Sequence, residues 1–225
     1  MKILALEFSP AERSIAAVIG GEVRGFALDA DTRGTRAFDC IRHALQQAGI
    51  SAPEIECIAV GLGPGSYAGT RIAIAIAQGW ELARGVKLIG LSSADGIARR
   101  INTPEGLVRF HRNIPFTGIA NIVFDAQRNE AYVIRYQIGE GAAHPLGGFE
   151  LLMANEEQQR RERGEIFLKA DLGPWKLGKE MVLFSDARVI GQMAAQRNDF
   201  VSGERLEPIY LRKAEFVKTR PTGSF

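Results

Sequence analysis

The strongest candidate for chemistry in this sequence is a glycine-rich segment, residues 61–71, with the sequence GLGPGSYAGTR. It lies between an apolar run and a helix-like run, and a loop in that position can direct backbone N–H groups and a helix N-terminus at an anion. A Walker A loop also needs a lysine directly after its last glycine, whereas Thr70 and Arg71 follow Gly69 here. The segment is therefore not a P-loop, and two roles stay open, a packed turn and an anion-binding loop.

Acidic residues that end two strand-like runs are the second candidate. Glu7 and Asp125 each precede a turn, and paired acids of this kind hold a metal-bound nucleotide between the lobes of actin-like ATPases. An acid at the end of a strand is also ordinary turn chemistry, so both interpretations stay open.

Other catalytic classes find little support in the sequence. The three histidines, His43, His111 and His144, are too far apart along the chain to predict a metal site. Ser66 and Ser92 fall on predicted loops, but neither lies in a G-x-S-x-G elbow, so a hydrolase triad is not indicated. We expect no catalytic, metal-binding or cofactor-binding residue in this chain.

The elements that position these residues predict an α/β fold. Three strand-like runs joined by short turns come first, and strands that alternate with amphipathic helices follow, which is typical of a mixed sheet covered by helices. The predicted strands of this part are 2–8, 13–19, 22–28, 57–62 and 86–91, and its predicted helices are 35–48, 70–84 and 93–101.

A break at residues 102–106 divides the chain into two predicted domains, 1–103 and 104–225. Each domain opens with an apolar strand that ends in an acid at a turn and is followed by a returning strand, which indicates an internal duplication. The elements predicted for the second domain are a hairpin at 119–125 and 130–138, a strand at 182–184 and a helix from about residue 185.

The helix at 70–84 has two apolar strips on a helical wheel. We expect the larger strip to cover the sheet, and we expect Ile74 and Leu82, which fall among polar residues, to face another helix. The larger strip consists of Ile72, Ile76, Gly79, Trp80 and Ala83.

Composition excludes several classes of protein. The 225 residues include 28 Lys and Arg against 26 Asp and Glu, which is not the balance of a protein that coats nucleic acid through bulk charge. Two cysteines are too few for a disulfide framework, and no apolar stretch approaches the roughly 18 residues of a membrane span. We therefore expect a cytoplasmic protein without membrane association, and we interpret the basic residues 205–225 as a solvated terminus.

Several segments together resemble the TsaB (YeaZ) family. Residues 63–72, GPGSYAGTRI, and residues 77–79, AQG, resemble the family signature GPGSFTGxRIG…AQG. Residues 125–132, DAQRNEAY, resemble DARxxEVY, and residues 207–212, EPIYLR, resemble EPxYLR. With the opening strand at 3–8, these matches keep the family's order and spacing over nearly the whole chain.

The resemblance implies an actin-like ATPase (ASKHA, ribonuclease H-like) fold of two related lobes. Family members act in the bacterial synthesis of threonylcarbamoyladenosine at position 37 of tRNA, as scaffolds for the catalytic homologue TsaD, with TsaE as an ATPase partner. The H-x-x-x-H metal pair belongs to TsaD and is absent here, so the resemblance implies a non-catalytic subunit. Such a subunit would be a homodimer when alone and would meet tRNA only through the complex.

The resemblance also implies positions for this function. The implied interface residues are Thr35, Arg36, Tyr67, Thr70, Arg71, Ile74, Gln78 and Leu82. The residues of the implied structural loop are Gly63, Pro64, Gly65, Ser66 and Gly69.

The chain departs from the family pattern at two places. Its opening strand ends in the residues EFSP at 7–10, where the family has Asp-Thr-Ser, and GTR at 34–36 replaces a histidine common near the start of the first helix. Two other functions therefore stay open: an independent ATP-dependent small-molecule kinase on the same fold, and a peptidase. The kinase would need a phosphate-binding hairpin in each lobe, and the peptidase would need a metal or a nucleophile.

Overall fold

A computed structural model describes residues 1–29, 36–104, 115–125, 130–139, 142–170 and 181–211. The chain forms two mixed β-sheets with helices packed on them, which confirms the predicted fold class. The helices of the described residues are α1 (Ala37–Gln47), α2 (Tyr67–Arg84), α3 (Ser93–Arg100), α4 (Ala154–Glu162) and α5 (Ala187–Ala194).

The first sheet contains five strands in the order β3-β2-β1-β4-β5. The first three form the predicted antiparallel meander, and β4 and β5 extend the sheet in parallel from β1. The strands are β1 (Lys2–Glu7), β2 (Arg13–Ile19), β3 (Glu22–Asp29), β4 (Cys57–Gly61) and β5 (Lys87–Leu91).

Helices cover both faces of this sheet, because side chains alternate along each strand. Leu4 and Leu6 of β1 pack in one apolar cluster with α1 and α2. Ile3 and Ala5 of the same strand pack on the other side with Ile190 of α5. A helix from the C-terminal half thus belongs to the first sheet by packing, and the domain boundary at residue 103 stays a prediction.

The second sheet repeats the pairing of the first. The antiparallel pair β6–β7, with β10 added in parallel to β6, corresponds to the pair β1–β2 with β4 added in parallel to β1. Glu7 and Asp125 therefore end equivalent strands of two related lobes. The strands are β6 (Gly118–Asp125), β7 (Ala131–Gly139), β8 (Ala142–Pro145), β9 (Glu150–Leu152) and β10 (Ile166–Lys169).

Two predicted elements differ from the structure. The helix predicted from residue 70 begins at Tyr67, because the hydroxyl of Ser66 caps it by accepting the Gly69 N–H. The predicted strand at 182–184 is wrong, since only Val182 forms an isolated bridge, with Lys169.

Candidate protein-docking site

The glycine-rich loop packs directly against the end of β1 and the turn that follows it. A Cβ at Gly65 would lie 2.4 Å from the carbonyl oxygen of Ser9, and a Cβ at Gly69 would lie 2.0 Å from the carbonyl oxygen of Phe8. These neighbours are backbone atoms, which cannot turn aside as the end of a flexible side chain can. Glycine at both positions is therefore required by the close approach of two backbone segments.

The polar groups of the loop bond to other groups of the chain. The Ser66 N–H donates to the Ser9 carbonyl oxygen at 2.7 Å, and the Gly63 N–H donates to Oγ of Ser93 at 3.1 Å. The Ser93 N–H in turn donates to the Gly63 carbonyl oxygen at 2.8 Å. Because these bonds use donors that an anion would need, the geometry is that of a packed turn.

Glu7 lies beneath this loop with no exposed surface. Its Oε1 accepts the Ser9 N–H at 3.0 Å, and a Cβ at Gly61 would lie only 2.4 Å from its Oε2. Burial raises the pKa of Glu7, although hydrogen bonding with Ser9 acts in the opposite direction. Ionisation of this carboxyl group is therefore less favourable here than it would be in solvent.

α2 places its small residues, together with Ile74, on the sheet. Ala73 and Ala77 are fully buried, Ile74 is 6% exposed, and all three belong to the apolar cluster that contains Val60 of β4. The prediction that Ile74 faces away from the sheet is therefore wrong. Small side chains let the helix approach a strand that already carries bulky side chains, so the bulkiest strip of the helix is not the one that covers the sheet.

The bulky strip of α2 instead lines an open apolar groove shared with α1. The groove has a volume of about 960 Å³. Ile72, Ile76 and Trp80 of α2 are half-buried along it, and Phe38 of α1 is 73% exposed. The other apolar residues that line the groove are Ala37, Ile41, Leu45, Ile50, Ala52, Ala75, Gly79 and Ala83. A contiguous exposed surface of this composition is typical of a protein interaction site.

The predicted interface residues divide into four groups: covered, outside the described residues, exposed and half-buried. Thr70 is 2% exposed, so like Ile74 it is covered by the chain itself. Thr35 lies outside the described residues. The predicted residues that are exposed are Arg36, Tyr67, Arg71 and Leu82.

Gln78 is half-buried because it holds a C-terminal turn of the chain. Its Nε2 donates to the Gly203 carbonyl oxygen at 2.8 Å, and the Gly203 N–H donates to Oε2 of Glu81 at 2.9 Å. The side of α2 that was predicted to meet a partner is thus partly covered by the C-terminal segment.

The C-terminal segment also crosses the glycine-rich loop, a contact that the sequence does not predict. The Ile209 N–H donates to the Leu62 carbonyl oxygen at 2.8 Å. The ring of Tyr210 lies 5.4 Å from that of Tyr67, whose centroid is 5.0 Å from the guanidinium carbon of Arg71. Two motifs far apart in sequence thus form one surface, and no spacing rule within either motif could have joined them.

The remaining predicted residues form no further site among the described ranges. No group of three or more histidine, cysteine, aspartate or glutamate side chains in these ranges lies close enough to hold a metal ion. His43 lies beside Gln47 on α1, His144 is exposed on β8, and His111 falls outside the described residues. No helix that the structure describes is long and apolar enough to cross a membrane.

Comparison with known proteins places these features in a family. A family model described as TsaD, tRNA N6-adenosine threonylcarbamoyltransferase, matches residues 34–165, more than half of the chain. The tRNA threonylcarbamoyladenosine biosynthesis protein TsaB of Escherichia coli is 29% identical over 98% of this chain and 99% of that protein. TsaB of Bacillus subtilis is 26% identical over 80% of each chain. The structure of YeaZ from Pseudomonas aeruginosa, 22% identical, matches 93% of this chain and 99% of that one with a TM-score of 0.71, which shows a shared fold.

Proposed function

Because the chain belongs to the TsaB (YeaZ) family, we propose that it is a non-catalytic scaffold subunit for the threonylcarbamoylation of adenosine 37 in tRNA. Its partner in this proposal is a TsaD-type transferase, which would carry the catalytic residues. The full-length similarity to two proteins named for threonylcarbamoyladenosine biosynthesis supports the pathway.

The observation that carries the proposal is the apolar groove between α1 and α2. The transferase family model matches residues 34–165, a range that includes both helices of the groove. A TsaD-type partner would therefore carry a segment equivalent to this helix pair. Two related subunits that meet through equivalent surfaces form a closed, two-fold interface, which leaves no free copy of the surface for further growth.

The groove contains aromatic side chains that can contribute strongly to the affinity for a partner. Phe38 and Trp80 line it from opposite helices, and aromatic residues are enriched among those that contribute most to protein association. Phe38 is 73% exposed in the single chain, so it contributes little to folding and would gain most of its burial on docking.

A substitution at Phe38 tests the interface without disturbing the fold. We expect Phe38→Asp to weaken binding of the TsaD-type transferase from the same organism by more than tenfold, because the carboxylate would be desolvated against apolar neighbours. The matched control is Leu151→Asp, since Leu151 is a 47% exposed apolar residue of β9, outside the groove. Calorimetric titration measures the affinities, and thermal melts of both variants should match the wild type.

The functional assay follows threonylcarbamoylation of tRNA by the transferase as the chain is titrated in. Phe38→Asp should require a higher concentration of the chain for the same rate and should reach the wild-type rate at saturation. Wild-type affinity in both variants would contradict the proposed interface. A chain that supported no threonylcarbamoylation with its transferase at any concentration would contradict the proposed function.

The other parts of the proposal concern further partners. We propose that the chain forms a homodimer through the same groove when the transferase is absent, that a TsaE-type ATPase joins the complex, and that tRNA is contacted through the complex. All of these events would take place in the cytoplasm.

A further inference from the structure

Glu7 lies where a ligand would be expected in this fold. It ends β1, it faces Gly61 at the end of the parallel neighbour β4, and ligands of α/β sheets bind outside the carboxyl ends of parallel strands. Asp125 ends the equivalent strand of the second sheet.

The surroundings of Glu7 do not fit a nucleotide. The carboxyl group fills the space beside Gly61, where even a Cβ would meet Oε2 at 2.4 Å and Oε1 at 2.6 Å. The Gly63 and Ser66 N–H groups of the adjacent loop donate to Ser93 and Ser9. A phosphate group would therefore have to displace this side chain and break bonds that the loop makes with its own chain.

The bonding around Glu7 ties separate parts of the chain together. Its Oε1 accepts the Ser9 N–H, and Ser9 Oγ bonds to Oγ of Ser93 on α3 at 2.9 Å. The hydroxyl of Ser185, which directly precedes the N-cap of α5, is also a neighbour of the carboxyl group. Oε2 of Glu7 and Oγ of Ser185 are both buried without a hydrogen-bond partner among the described residues. A proton on Oε2 would let the carboxyl group donate to Ser185 and remove both deficits.

We propose that the Glu7 carboxyl group occupies, from within the chain, the position that a phosphate group of a nucleotide would take in this fold. It joins β1 to α3 and to the start of α5, as a bound ligand would do in an ATPase. The chain therefore holds its arrangement without a nucleotide between its lobes. This inference goes beyond the proposed scaffold function, which depends on the α1–α2 groove.

The proposal can be tested by removing the Glu7 carboxyl group and then adding a small carboxylic acid that can take its place. Glu7→Ala should lower the melting temperature by at least about 5 °C, because it leaves a cavity and removes the acceptor of the buried Ser9 N–H. Formate at millimolar concentrations should recover at least half of this loss in a saturable manner. It should not change the melting temperature of the wild type or of Glu12→Ala, a control at an exposed glutamate near by.

Thermal melts in the presence of Mg-ATP test whether a nucleotide can bind beside Glu7. We expect Mg-ATP to leave the wild-type melting temperature unchanged within error. A saturable rise in the wild type that is lost in Glu7→Ala would overturn the proposal. So would a folded Glu7→Ala protein that formate does not stabilise.

A second variant keeps the test valid if Glu7→Ala alone does not fold. Gly61→Ala introduces a Cβ against the Glu7 carboxyl group, so it should lower the melting temperature when Glu7 is present. In the double variant with Glu7→Ala, the added methyl group enters the vacated space, so the double variant should melt higher than Gly61→Ala alone. A double variant that melts at or below Gly61→Ala, or that fails to fold, would overturn the proposal, because the two side chains would then not share one site.

Discussion

Ile74 and Ile76 form a matched pair that separates folding from docking. They are the same residue type on one helix, two positions apart. Ile74 is 6% exposed and packs on the sheet, whereas Ile76 is half-buried and lines the α1–α2 groove. Truncation of each to alanine removes the same atoms from two different environments.

The expected magnitudes differ because the burial differs. Truncation of a buried isoleucine to alanine costs about 2–5 kcal/mol of the free energy of unfolding. In a chain of this size each kcal/mol lowers the melting temperature by about 2–4 °C, so Ile74→Ala should lower it by at least about 4 °C. Ile76→Ala removes a side chain that is only half-buried, so we expect a loss of about 1 kcal/mol or less. In the complex, its loss from a packed interface should weaken transferase binding by about tenfold.

Two measurements on both variants test whether Ile74 acts in folding and Ile76 in docking. Circular dichroism melts give the change in stability, and calorimetric titration with the TsaD-type transferase gives the change in affinity at a temperature where both variants are folded. The reasoning would be refuted if the two variants melted at the same temperature. It would also be refuted if Ile74→Ala weakened docking more than Ile76→Ala did while the melting temperature stayed that of the wild type.

Three further predictions follow from the site. Gly69→Ala should lower the melting temperature by several degrees because its Cβ would meet the Phe8 carbonyl oxygen, whereas Gly79→Ala in the same helix has no atom within 4 Å and should be neutral or stabilising in the same melts. Burial raises the pKa of Glu7 above its ordinary 4.5, so its contribution to stability is complete below that pH and is lost as pH rises through the folded-state pKa. The melting temperature of Glu7→Gln relative to the wild type should therefore increase from about pH 4.5 upward, and a difference independent of pH would contradict the raised pKa. The isolated chain should neither hydrolyse ATP nor transfer threonylcarbamoyl to tRNA; turnover by the pure protein that survives repurification would contradict the scaffold proposal.

Much of the fold could be predicted because local signals and tertiary packing agree. The Gly20-Gly21 turn, where both residues have positive φ, predicts the hairpin between β2 and β3, and the structure has it. Gly85 ends α2 in a left-handed conformation, as a glycine at that position commonly does. The pairing of acids at the ends of β1 and β6 indicated related lobes, and the two sheets share that pairing.

The orientation of α2 could not be predicted because it depends on the size of the side chains that the strands place against the helix. Ala73 and Ala77 are small, and on a wheel they predict neither burial nor exposure. In the structure they pack in one apolar cluster with the bulkier Ile58 and Val60 of β4. The contact between the rings of Tyr210 and Tyr67 could not be predicted either, because it joins residues separated by more than half of the chain.

The orientation of α2 also explains how one sequence supports both a stable fold and a docking surface. If the bulky strip covered the sheet, the helix would lie farther from β4, and the Gly69 contact with Phe8 would be lost. With the small strip on the sheet, the helix can approach closely at its N-terminal end, where Gly69 meets the β1 turn. The isoleucines and Trp80 are then left for the groove. Substitutions on the two strips of α2 should therefore act independently, those at Ala73 or Ala77 on stability and those at Ala75 or Ala83 on association, and their free-energy changes should add in double variants.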